Sequence, residues 1–106
     1  MRMIDKIVML LLNNKNIYVY FKVMKGALGE TDGENIFLNP RGDILPTLIH
    51  ECLHILKPEI TEDEEMIEIF TRKILKKMRH KDYYVLMFAM FQAMLRGMKR
   101  KKGDDL

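Results

Sequence analysis

Near the N-terminus, Met3, Ile4, Ile7, Val8, Leu11 and Leu12 recur at helical spacing and predict an amphipathic helix that stops at Asn13-Asn14. Ile17 to Val23, rich in β-branched and aromatic residues, predicts a strand. Lys25 to Asn35 holds Gly26, Gly29 and Gly33 and reads as a loop, without the lysine and hydroxyl that follow the last glycine of a phosphate-binding loop. Ile36 to Leu38 is a short apolar run closed by Asn39-Pro40, where proline cannot donate a ladder hydrogen bond. That brief strand has two possible places: an edge able to align an extended peptide, or a position that only completes the sheet.

The helical period returns at Ile44. Ile44, Leu45, Leu48, Ile49, Cys52, Leu53, Ile55 and Leu56 wrap most of a helix and leave a narrow polar stripe of Thr47, His50, Glu51 and His54. Asp43 is the expected N-cap, Pro46 is tolerated in the first turn, and Lys57-Pro58 ends the helix. Thr61 is expected to open a second helix, with Glu62, Asp63, Glu64 and Glu65 at its positive end and Lys76, Lys77 and Arg79 at the other. Ile67, Phe70, Ile74, Leu75 and Met78 form its buried stripe.

Tyr83 to Leu95 is apolar almost all round, interrupted only by Gln92, and such a helix has to be buried somewhere. A chain of 106 residues has little core to spare, so the expected burial is in a symmetric homodimer, ahead of the domain's own core or a membrane interface. Met87, Met90, Met94 and Met98 suit an adaptable contact, although methionines at this spacing also serve as plain core. The chain divides into a core over residues 1–80 and, over 81–106, a C-terminal helix with a basic tail, expected to act in latency or dimerisation.

Composition narrows the class without changing this outline. Hydrophobic residues make up 48% and charged residues 31%, which describes a soluble globular domain rather than a disordered chain. Lys99, Arg100, Lys101 and Lys102 supply much of the net charge of +3, and with no aromatics interleaved they read as a solvated helix end, so no nucleic-acid partner is expected. Cys52 is the single cysteine, which excludes an intramolecular disulfide, fits a reducing cytoplasm and leaves a small core residue. Ile7 to Leu12 is too short for a signal sequence or a membrane span, and a cytoplasmic protein is expected.

Chemistry concentrates in His50-Glu51-Cys52-Leu53-His54. Residues at i and i+4 share a helix face, so both imidazoles can reach one ion, and two neutral imidazoles leave room on zinc for a third protein ligand and a water. Glu51 would face that water and take its proton, which is how a metallopeptidase generates its nucleophile. Histidines and a carboxylate confined between apolar positions need partners, and a divalent cation would serve both rings at once.

The acidic start of the second helix offers Glu64, Glu65 and Glu68 as third ligands. Glu64 and Glu68 share a side with Thr71 and Leu75, whereas Glu65 falls with Arg72 and Lys76 on the expected solvent face. Thr61-Glu62-Asp63-Glu64 is also a capping-box pattern, so Glu64 is either ligand or cap, with the ligand role favoured. His80 lies too far along the helix, and an extended HExxHxxGxxH arrangement fails because Lys57 and Ile60 occupy its glycine and histidine positions.

His50-Glu51-x-x-His54 followed by Glu64-x-x-x-Glu68-Ile69-Phe70 resembles the gluzincin pattern, and the short chain with its two closely spaced helices is most similar to the minigluzincins, minimal peptidases related to catalytic domains of integral-membrane metallopeptidases. The specific resemblance covers Ile44 to Phe70. It implies that Glu64 is the third zinc ligand, that Glu68 supports a zinc-binding histidine where thermolysin-like peptidases have Asp, and that the fold is a minimal α+β zincin scaffold. Substrate would lie between an edge strand and the motif helix. It also implies latency through the C-terminal segment; independently of the resemblance, if the C-terminal helix lies across the cleft, Asp82 or a terminal carboxylate could take the open zinc position. Tyr83, Tyr84 and His80 are transition-state donors by residue type alone.

The sequence therefore predicts a Zn2+-dependent peptidase acting on a peptide or protein, with Glu51 as catalytic base and His50, His54 and Glu64 as ligands. A non-catalytic zinc-containing regulatory module working through the C-terminal helix is the competing expectation.

Overall fold

The computed structural model describes the backbone of residues 1–104 and the side chains of residues 1–100. It is an α+β arrangement of α1 (Met3–Asn13), β1 (Tyr18–Phe21), β2 (Gly29–Thr31), β3 (Asn35–Leu38), α2 (Ile44–Leu56), a 3-10 turn at Pro58–Ile60, α3 (Glu64–Lys77) and α4 (His80–Asp104). The sheet order is β1-β3-β2, with β3 parallel to β1 and antiparallel to β2.

The sheet decides between two alternatives and corrects one expectation. The run Ile36 to Leu38 forms the central strand, and the edge nearest α2 is β2, which lies inside the stretch read as a loop. Asp32-Gly33 is the reason. Gly33 takes φ 101, and the Asp32 carboxylate accepts from the backbone N–H of Glu34 at 3.0 Å and of Asn35 at 2.8 Å, so the chain doubles back onto Gly29–Thr31. The other end is fastened by buried Asn39. Its side-chain amide donates to the carbonyls of Met24 and Ala27, both at 2.9 Å, and its side-chain oxygen accepts from Arg41 N at 3.0 Å.

Ile7 and Leu11 from α1, Val19, Ile36 and Leu38 from the sheet, and Leu48, Ile49, Cys52 and Leu53 from α2 meet in one core, joined by Ile67 of α3. Each such aliphatic side chain contributes roughly 1.5–3 kcal/mol on burial, which pins α2 by its apolar arc and leaves its polar stripe to one side. α2 packs on β2 and β3 and against α3; α4 packs on α1 and β1.

The apolar run from Tyr83 to Leu95 is only the middle of a 25-residue helix that carries charge at both ends, so the expected apolar helix is not what forms. Leu86, Ala89, Met90 and Ala93 enter the chain's own core, while Tyr84, Phe88, Phe91, Leu95 and Met98 are exposed. Arg96 ties this helix down by donating to the carbonyl oxygens of Leu11 and Ile17, the latter at 2.9 Å. At its start, Asp82 accepts from Arg79 N at 2.8 Å and from both terminal nitrogens of Arg2, at 2.9 and 3.0 Å. Among the described residues no helix is long and apolar enough to cross a membrane.

Candidate metal centre

The polar stripe of α2 faces the start of α3. Nε2 of His50 lies 3.0 Å from one Glu64 carboxylate oxygen, and Nε2 of His54 lies 2.8 Å from the other. The three donor atoms are all within 4.8 Å of one another. Donors on one tetrahedral zinc are separated by roughly 3–3.5 Å, so two imidazoles and this carboxylate fit a shared ion in both spacing and chemistry.

The outer ring nitrogens are equally defined. Glu68 places Oε2 3.1 Å from Nδ1 of His50, and the Thr61 hydroxyl lies 2.8 Å from Nδ1 of His54. A proton on Nδ1 donated to these oxygens leaves the Nε2 lone pair facing Glu64, which is the tautomer a metal ligand requires. Both rings are mostly buried, with 19% and 13% of their side-chain surface exposed, whereas Glu64 is 66% exposed and closes the cluster from the solvent side.

Local folding explains how the acid arrives. α2 stops at Lys57 because Pro58 has no N–H to offer, and the 3-10 turn reverses the chain. Thr61 does not open α3; Asp63 is the N-cap, accepting from Met66 N at 3.1 Å. The Thr61–Glu64 capping box is therefore absent and Glu64 is free to turn toward the histidines. Thr61 is the site residue that the sequence reading missed. Its signal was the pairing of the Pro58 stop with a competing cap, Asp63, two residues after Thr61, which sets Thr61 beside α2 instead of on α3.

Glu51 is 6% exposed and lines a cleft with His50, Glu68, Thr47 and Gly29. Burial pushes its carboxyl up to about 7, against the opposing effect of His50 and with smaller upward contributions from Glu64 and Glu30. A cation at the histidines would act in the opposite direction to burial. Gly29 brings β2 against this acid: a Cβ there would stand 2.5 Å from Thr47 Cγ2 and 3.2 Å from Glu51 Oε2. The bonds from Asn39 N to Leu28 O and from Asp32 N to Asn35 O turn Leu28, Glu30 and Asp32 toward β3, so the backbone groups of Gly29 and Thr31 face the free edge.

Several other expected participants lie elsewhere. Asp82 is engaged by Arg2 and Arg79, and neither Tyr83, Tyr84 nor His80 lines the cleft beside the histidines. The terminal carboxylate, with Lys101 and Lys102 of the basic block, falls outside the described side chains. Glu65 makes no contact with the cluster, and Cys52 is fully buried, its thiol pushed up by desolvation, as a core residue should be. No family model matches this chain, and no curated protein or solved structure matches it.

Proposed function

We propose that this protein is a zinc-dependent peptidase of the gluzincin type, with His50, His54 and Glu64 as metal ligands and Glu51 as catalytic base. The observation that carries the reading is the convergence of both Nε2 atoms on Glu64 while both Nδ1 atoms are held by other oxygens. Zinc bound there would supply a Lewis acid that activates water and polarises a peptide carbonyl. Glu51, which lines a cleft together with His50, would take the proton from the attacking water and pass it to the leaving amine. Glu68 and Thr61 keep the two rings in one tautomer and orientation. The free edge of β2 offers the backbone groups of Gly29 and Thr31 to an extended substrate, the role that Ile36 to Leu38 cannot fill from the centre of the sheet.

Metal analysis of the purified chain together with Glu51→Gln tests this directly. The expected result is one zinc per chain in both proteins and a loss of peptide hydrolysis of about 10²–10⁴-fold in the variant. Failure to bind zinc, or hydrolysis indifferent to Glu51→Gln, overturns it.

The exposed stripe of Tyr84, Phe88, Phe91, Leu95 and Met98 favours a second reading, in which the metal site is structural and α4 mediates association with a second copy. Zinc retention without turnover, in a protein that sediments as a dimer, would select it. C-terminal latency receives no support from the described residues, since the cleft at His50 and Glu51 is lined by none of α4.

A further inference from the structure

A second cleft lies between α1, α2 and α3 and shares no lining residue with the cleft at Glu51. Its volume is about 360 Å³, within the range of small-molecule sites. Met3, Ile4, Leu53, Phe70 and Ile74 make an apolar floor. The polar lining consists of Arg2, Lys57, Lys73 and Lys77, with no acidic residue among them.

These cations are not equally compensated. Arg2 is bound to Asp5 and Asp82, and Lys57 is 3.8 Å from Glu59. Lys73 and Lys77 have no acidic partner among the described residues, Lys73 having only the Phe70 ring 6.0 Å from its Nζ. They stand one turn apart on α3, where like charges repel, and an anion between them would remove that repulsion. An apolar floor beneath uncompensated cations is complementary to a ligand with one negative head and a hydrocarbon body. A compact dianion such as phosphate would leave the floor unfilled, and a neutral hydrocarbon would leave the lysines unpaired.

We propose that this cleft binds a single-chain alkyl carboxylate, with the chain on Ile4, Leu53, Phe70 and Ile74 and the head between Lys73 and Lys77. The volume of about 360 Å³ is at the small end of the range for ligand sites, which suits a medium-length chain rather than a bulky body. Occupancy would clamp α1 to α3 from the side opposite Glu64 and Glu68. The site does not depend on the peptidase reading, because none of its residues belongs to the metal centre.

Calorimetric titration of the full chain with decanoate below its micelle concentration tests the site, with octanoate, decanol and decylammonium in parallel. Saturable one-to-one binding is expected, about tenfold tighter for decanoate than for octanoate, since two added methylenes are each worth roughly a fourfold gain. Decanol should bind at least tenfold more weakly than decanoate, and decylammonium should not bind. The double variant Lys73→Gln/Lys77→Gln, at two exposed positions, should weaken decanoate about tenfold or more while leaving zinc content unchanged, with at most a small loss of thermal stability because Lys77 lies in the last turn of α3. The chain-length series on the unaltered protein keeps the test independent of how that variant folds. Absence of saturable binding, equal binding of decylammonium, or no gain from octanoate to decanoate overturns the proposal. So does a dimer that excludes decanoate, which would assign the cleft to a second copy of the chain.

Discussion

The Thr61 hydroxyl lies 2.8 Å from Nδ1 of His54 and is the sole hydrogen-bond partner of that nitrogen among the described residues. Its bond fixes the ring so that Nε2 points at Glu64. Thr61→Val keeps the shape and removes the acceptor, and zinc affinity measured by chelator competition should fall about 10- to 100-fold. Thermal stability of the metal-free protein should change little, because Thr61 is not the cap of α3. Unaltered affinity would remove Thr61 from the site.

Glu64 and Glu65 are neighbours in sequence with opposite expected consequences. Among the described residues Glu64 is the only carboxylate that reaches both Nε2 atoms, so Glu64→Ala should abolish stoichiometric zinc binding, whereas Glu65→Ala should leave it intact. Both substitutions remove one acid from the first turn of α3 and should cost a similar ~0.3–1 kcal/mol through the helix dipole. Metal content read alongside melting temperature separates ligand from dipole.

Gly29 is expected to tolerate no side chain, since an added Cβ would meet Thr47 Cγ2 at 2.5 Å and Glu51 Oε2 at 3.2 Å. Gly29→Ala should cost about 1–3 kcal/mol and displace either β2 or Glu51, lowering hydrolysis more than zinc affinity. Adding Thr47→Ser deletes the closest methyl and should recover much of the stability. A double-mutant cycle showing no coupling would place the effect elsewhere.

The helices were legible because each carries a long 3.6-residue pattern with a recognisable stop: Asn13-Asn14 for α1 and Lys57-Pro58 for α2. His50, Glu51 and His54 were legible because their spacing is local. The sheet was less so. β2 is only three residues long, and the Asp32-Gly33 turn that makes it a strand does not stand out in sequence among the neighbouring glycines. Long-range side-chain bonds left no periodic trace at all. Asn39 stands as punctuation before Pro40 but anchors the approach to β2, and Arg96, one residue past the apolar run, binds the chain leaving α1. α4 showed a mixed outcome for the same reason: its residues were read for hydrophobicity, and which face would meet α1 and β1 is decided by tertiary packing.

Part of the acid sensitivity should be traceable to the Arg2–Asp82 pair, beside the contributions of Asp5 and Asp32, whose carboxyls are also held below their ordinary range. The Arg2 guanidinium, helped by the Arg79 N–H, holds the Asp82 carboxyl at about 2, below its ordinary 3.8. A depressed folded-state value means that the pair stabilises the fold fully above the ordinary value and that this contribution is lost as pH falls through about 2. Asp82→Asn should therefore lower stability at neutral pH and flatten the stability profile between about pH 4 and 2. Denaturation midpoints across that range decide it: parallel profiles for the two proteins would show that Asp82 is not the titrating group.

Arg96 joins three segments distant in sequence, donating from α4 to the carbonyls of Leu11 and Ile17 at either side of the turn between α1 and β1. Burial lowers the guanidinium's proton affinity, against a smaller upward effect of Tyr18, which marks the cost of holding this charge inside, and the two backbone carbonyls help to offset it. Arg96→Met preserves much of the apolar stem but leaves two carbonyls without their donor. The expected loss is about 1.5–3 kcal/mol, the range for a hydrogen bond to a charged group. Hydrogen exchange should accelerate in α4 and at the end of α1, while α2, α3 and zinc binding remain as before, because α4 packs on α1 and β1 and contributes nothing to the metal cluster. Global loss of protection, extending to α2, would instead make α4 part of one cooperative unit with the metal site.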